Sequence, residues 1–68
     1  MIDMKKKIGL RIRSFREGRG LTQDELGAIA DMHRAYVGHV ERGEKNITVE
    51  NLEKIAKALH VDIKDLFP

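Results

Sequence analysis

Two helical patterns, Thr22–Ala30 and His33–Arg42, meet across only two residues, Asp31 and Met32. A break this short is too tight for an antiparallel helical hairpin. The geometry that remains is two helices set at a steep angle, the helix-turn-helix, spanning about 22–42. Everything else in the chain must supply the core beneath that unit.

The remaining pattern is helical as well. The spacing predicts a first helix from about Met4 to Arg19, with Ile8, Ile12 and Phe15 on one stripe and Gly20 at its end. Leu10 falls on its solvent side. Thr22 and Glu25 have the spacing of a capping box at the start of the second helix, where Leu26, Ile29 and Ala30 share a face. Gly27 sits mid-helix, which marks close approach of another backbone. Thr48 caps a fourth helix with the stripe Leu52, Ile55, Ala56 and Leu59. Asp62 and Asp65 pair across the start of a fifth, ending in Leu66 and Phe67. No stretch alternates as a strand does. The expectation is an all-α, compact five-helix bundle over residues 1–68, a single domain.

Composition narrows the function. A 68-residue chain without cysteine has no disulfide, thiolate zinc site or cysteine nucleophile. No apolar run approaches the ~18 residues of a membrane span and no signal-peptide core follows Met1, so the expected location is the cytoplasm. Small domains need a staple or a partner. With no disulfide or metal, that staple is a second copy or unusually good helix packing. Val61, Ile63, Leu66 and Phe67 form the expected interface between copies, because a domain this small cannot bury them all. The net charge of +2 is uneven. Residues 1–20 carry seven basic and two acidic groups, whereas residues 21–68 carry six basic and nine acidic ones. A basic first helix suggests a polyanion partner.

The third helix is the informative one. At about 100° per residue, Tyr36, Val37 and Val40 lie together with Glu41 on their flank and face the domain. The opposite side is Arg34, Ala35, Gly38, His39 and Arg42, with no acid among them. Arginine bridges guanine O6 and N7, histidine reaches a base edge or phosphate, and alanine touches a thymine methyl. Small residues let a helix backbone approach a groove floor.

Three blocks, Leu21-Thr22-Gln23-Asp24-Glu25-Leu26, Tyr36-Val37-Gly38-His39-Val40-Glu41-Arg42-Gly43 and Leu52-Glu53-Lys54-Ile55-Ala56-Lys57-Ala58-Leu59, carry a resemblance. They resemble the phage-repressor-like (Cro/cI type) helix-turn-helix family, from about Ile8 to Phe67. Within it, His33-Arg34-Ala35-Tyr36 and the stretch Arg42 to Thr48 look most like controller proteins of restriction–modification systems. The resemblance implies a lambda-repressor-like fold and a homodimeric, sequence-specific transcription regulator, activator or repressor, on double-stranded DNA. Its operator would be palindromic, with half-sites about 10–10.5 base pairs apart or a multiple of that. It implies base contacts from Arg34, Ala35 and His39. Backbone contacts would come from Gln23, Tyr36, Arg42, Lys45, Asn46 and Thr48. It also implies a buried ion pair between Arg16 and Glu41. Two departures stand out: Asp31 and His60 occupy positions where the family favours glycine.

Other functions find less support. His33 and His39 fall on different faces of one helix and His60 lies elsewhere, so no metal site is expected. Ser14, the one serine, has no evident base beside it, so no catalysis is expected. No cofactor or small-molecule ligand is indicated. An antitoxin or anti-activator, whose main partner is a protein, shares this fold. It would need an additional segment to hold that protein, and none is read here.

Overall fold

The chain divides into helices where its own side chains cap them. Residues 3–68 are described by the structure, a computed structural model, as α1 (Met4–Gly18), α2 (Gln23–Ala30), α3 (Arg34–Glu41), α4 (Val49–Leu59) and a short 3-10 helix, Ile63–Leu66. Asp3, Thr22, His33 and Thr48 accept from the first-turn amides of Lys5, Glu25, Ala35 and Asn51, respectively. The capping box of α2 is complete, with the Thr22 amide donating to Glu25 at 2.8 Å. Among the described residues the fold is all-α, with four α-helices rather than the five expected. The last element has only four residues between Asp62 and the extended Phe67, too few for an α-helical ladder.

The core joins Ile8 and Ile12 of α1 to Leu26, Ala30, Val37, Val40, Leu52, Ile55, Leu59 and Leu66. Phe15, Met32 and Tyr36 are half-buried against it. Two expectations change. Ile29 is 59% exposed rather than part of the core face. Alpha2 buries Leu26, Gly27 and Ala30, a face centred roughly 100° away from Ile29 at helical spacing. Gly27 turns inward because a Cβ there would run into the Met32 carbonyl. Leu66, expected in the interface between copies, is fully buried within its own subunit. The 3-10 helix folds it back onto α1 and α4.

Alpha1 crosses α3 at Gly9, where any Cβ would meet the carbonyls of Val40 and Glu41. Beside that crossing lies the buried ion pair. Arg16 donates to Glu41 through Nε at 2.7 Å and Nη2 at 3.1 Å, and through Nη1 to the Leu21 carbonyl at 2.7 Å. The two side chains are 10% and 2% exposed. The Glu41 hydrogen bond raises the Arg16 guanidinium above its already high value, so it stays charged throughout. Arg19 reaches the far end of the domain, donating to the carbonyls of Leu59 and His60 that α4 leaves open.

Both departures from glycine take the left-handed conformation, Asp31 at φ 60° and His60 at φ 59°. Asp tolerates this locally; histidine has less to gain from it. His60 is exposed, so replacing it removes strain with little loss of contact. His60→Gly is expected to stabilise the domain by about 0.5–1 kcal/mol, a rise of several degrees in Tm. An unchanged or lower Tm would show that the ring contributes more than its exposure suggests. Glu41→Ala strands a buried guanidinium and is expected to cost about 3–5 kcal/mol. That is of the order of the whole stability of a domain this small. Denaturant titration followed by circular dichroism reads it; a loss under ~1 kcal/mol would place the pair with solvent-screened surface pairs.

Candidate nucleic-acid interface

Alpha3 buries Val37, Val40 and Glu41 and leaves Arg34, Ala35 and Arg42 exposed and His39 half-exposed. The division follows the wheel expected from the sequence, with one correction. Gly38 is not open to a groove floor. The Gln23 and Arg42 side chains cover it, and a Cβ there would meet Arg42 Nη1 at 3.0 Å and Gln23 Oε1 at 3.3 Å. Gln23 is drawn over α3 because its Nε2 donates to Glu41 at 3.1 Å. It thereby extends the Arg16–Glu41 pair into the first turn of α2.

The end of α3 shapes the rest of the surface. Gly43 takes φ 72°, donates to the Val40 carbonyl, and lets the Glu44 amide donate to the His39 carbonyl at 2.9 Å. This is the Schellman arrangement, which requires the left-handed residue that glycine supplies most cheaply. It folds Glu44 back beneath the last turn. Glu44 Oε1 lies 2.8 Å from His39 Nδ1 and 3.1 Å from Arg42 Nε. His39 and then Arg42 hold the Glu44 carboxyl below the usual carboxylate range. Two expected DNA contacts therefore share an acid that the wheel of α3 did not show. The signal for it was the Arg42-Gly43-Glu44 stop itself, because a Schellman turn returns the residue after its glycine to the helix.

The following turn places Lys45, Asn46 and Thr48 in the open. Thr48 Oγ1 accepts from the Asn51 amide, and Asn51 Nδ2 donates to the Tyr36 hydroxyl at 3.2 Å. That second bond ties the start of α4 to α3. Lys6 of α1 lies directly against Gly43, so the N-terminal turn of α1 borders the same surface. Of the other basic residues among the first twenty, Lys7 and Arg11 make no ion pair among the described residues, and the remaining four are engaged elsewhere. Lys5 pairs with Asp3, Arg13 with Glu17 and Arg16 with Glu41, and Arg19 binds carbonyls. The charge excess of the first twenty residues thus does not form one face. Arg34 and Lys45 make no ion pair among the described residues.

Of the residues expected between copies, Val61 and Ile63 are half-buried and Phe67 is exposed, while Leu66 is core. Among the described residues no group of His, Asp and Glu is arranged to hold a metal ion, and no helix is long and apolar enough to cross a membrane.

This architecture has close counterparts. The helix-turn-helix family model matches residues 12–66. Control protein C.SmaI of Serratia marcescens is 38% identical over 65 residues, covering 96% of this chain and 77% of that protein. Control protein C.BamHI of Bacillus amyloliquefaciens is 41% identical over 59 residues, covering 85% and 73%. The crystal structure of the restriction-modification controller protein C.AhdI from Aeromonas hydrophila matches with a TM-score of 0.91 at 40% identity, covering 93% of this chain and 96% of that one. The chain belongs to the helix-turn-helix family and is a DNA-binding transcription regulator, not an enzyme.

Proposed function

We propose that the protein binds a palindromic operator as a homodimer, each subunit laying α3 into one major groove, and that it serves as a controller protein of a restriction–modification system. The observation that carries this reading is the exposed face of α3. It presents Arg34 and Ala35 at its start and His39 and Arg42 at its end, on a helix clamped from beneath. Two of its relatives are named control proteins, and the resemblance to them spans the whole of this face.

Arg34, Ala35 and His39 meet base edges; the surrounding groups position the helix on the phosphates. Tyr36 and Thr48 each accept a hydrogen bond internally and keep a hydroxyl proton to donate to a phosphate. Gln23 spends one amide hydrogen on Glu41 and keeps a second. Lys45 and Asn46 reach outward from the turn, with Arg42 and Lys6 beside them. The copies meet through Val61, Ile63 and Phe67, apolar groups that the subunit leaves wholly or partly uncovered.

Selection from a random duplex pool, repeated at two salt concentrations, tests this. A palindromic consensus with a steep salt slope is expected; salt-sensitive binding without a consensus would overturn the palindromic-operator reading. Arg34→Ala is expected to cost about 1–3 kcal/mol and to flatten the preference at one base position. An unchanged profile would remove Arg34 as a reader. Lys45→Ala is expected to weaken binding to all sequences alike and to lower the salt slope by about one unit. A loss confined to particular bases would contradict its assignment to phosphate.

A further inference from the structure

Glu44 needs an explanation that neither the fold nor general DNA attraction provides. His39, Arg42 and Glu44 are each about half-exposed, so their contacts add little to fold stability. A carboxylate beside a DNA-facing helix also repels phosphate. What Glu44 does have is a directed contact with one nitrogen of a residue that faces the bases.

The chemistry of that contact has a single consistent assignment. An ionised carboxylate only accepts hydrogen bonds. Oε1 at 2.8 Å therefore requires a proton on His39 Nδ1. Arg42 Nη2 also lies 3.2 Å from Nδ1. If Arg42 donated there, Nδ1 would be bare, and its lone pair would face the carboxylate oxygen at 2.8 Å. Two lone pairs at that distance repel. Arg42 is instead held by its own contact with Oε1, at 3.1 Å. Nδ1 thus carries the proton. In the neutral ring, Nε2 is then the bare nitrogen, since the bond made by one ring nitrogen sets the state of the other. No partner engages Nε2 among the described residues.

We infer that Glu44 is a positioning residue for base reading. Its carboxylate fixes neutral His39 as the Nδ1–H tautomer, so that Nε2 meets the groove as a hydrogen-bond acceptor and selects a base bearing an exocyclic amino group. In the major groove those groups are adenine N6 and cytosine N4, whereas guanine offers only acceptors. A histidine free to choose its tautomer would donate to guanine as readily. Glu44 thereby turns an ambiguous side chain into a discriminating one. This inference rests on the base-facing role of His39 proposed above.

Two measurements separate the inference from that reading. The first uses the free protein at about pH 8, above the ordinary imidazole range. Nitrogen-15 spectra correlated to the ring protons of His39 distinguish a protonated from a bare nitrogen. The expected pattern is protonated Nδ1 and bare Nε2, shifting toward the other tautomer in Glu44→Ala with little change in Tm. A protonated Nε2 in the unaltered protein, or no shift in the variant, overturns the role of Glu44 whatever the DNA does. The second is pool selection with the unaltered protein, His39→Ala and Glu44→Ala. The base pair whose preference His39→Ala removes is the one His39 faces. Every base pair carries one such amino group, so the test removes it: replacing the adenine or cytosine of that pair by its analogue lacking the exocyclic amino group is expected to weaken binding by the unaltered protein. Glu44→Ala is expected to relax the same position. Binding unaffected by loss of the amino group, or a preference untouched by Glu44→Ala, overturns the inference. A consensus that His39→Ala leaves intact overturns the base-facing reading itself, and the inference with it.

Discussion

The Arg16–Glu41 pair is the constraint on which the working surface depends. Glu41 lies on the buried flank of α3, and its carboxylate takes two donors from Arg16 and one from Gln23. Three helices thus converge on one acid. Burying two charges costs several kcal/mol each, which a well-aligned fork with its remaining groups satisfied can offset. The third guanidinium nitrogen completes that condition by binding the Leu21 carbonyl. The consequence reaches the surface. Gln23, held by Glu41, lies across Gly38, so the middle of α3 is covered and only its two ends are open. The crossing at Gly9 serves the same end, because α1 must come within carbonyl contact of α3 for Arg16 to reach.

Much of this was legible from residues whose local role is decided by chemistry within a few positions. Thr22 with Glu25 announces a helix start, Asp31-Met32 a tight turn, and Val37 with Val40 a buried stripe. The misreadings share a cause, which is that spacing alone does not tell how a helix is rolled against its neighbours. Leu26, Ile29 and Ala30 fit one face of α2, yet the inward roll is set by Gly27, which admits Met32 and expels Ile29. Leu66 looked surplus at the end of the chain, but a single 3-10 turn was enough to return it to the core. Glu44 escaped the wheel of α3 because it is not on α3; a backbone reversal at Gly43 brings it there. Gly38 was correctly placed on a face and wrongly supposed to be open, since the cover comes from α2.

Charge shows the same difference between count and place. The first twenty residues hold a clear excess of cations, yet Lys5, Arg13, Arg16 and Arg19 are spent on internal partners. The rest of the chain is net acidic but carries Arg34 and Lys45 unpaired on the candidate surface. The domain measures 32 × 23 × 22 Å, two to three times the Debye length of about 10 Å at 0.1 M salt. Charges on its far side are therefore screened from the candidate surface, where the local set around α3 and its turn governs. In that set Glu44 offsets part of the charge of Arg42. General attraction to phosphate is weakened there, which under the proposed base-reading role leaves binding more dependent on the contacts that the right bases complete. A regulator that must find one operator among many sites gains from that balance, because specificity is a ratio and falls when indiscriminate affinity rises.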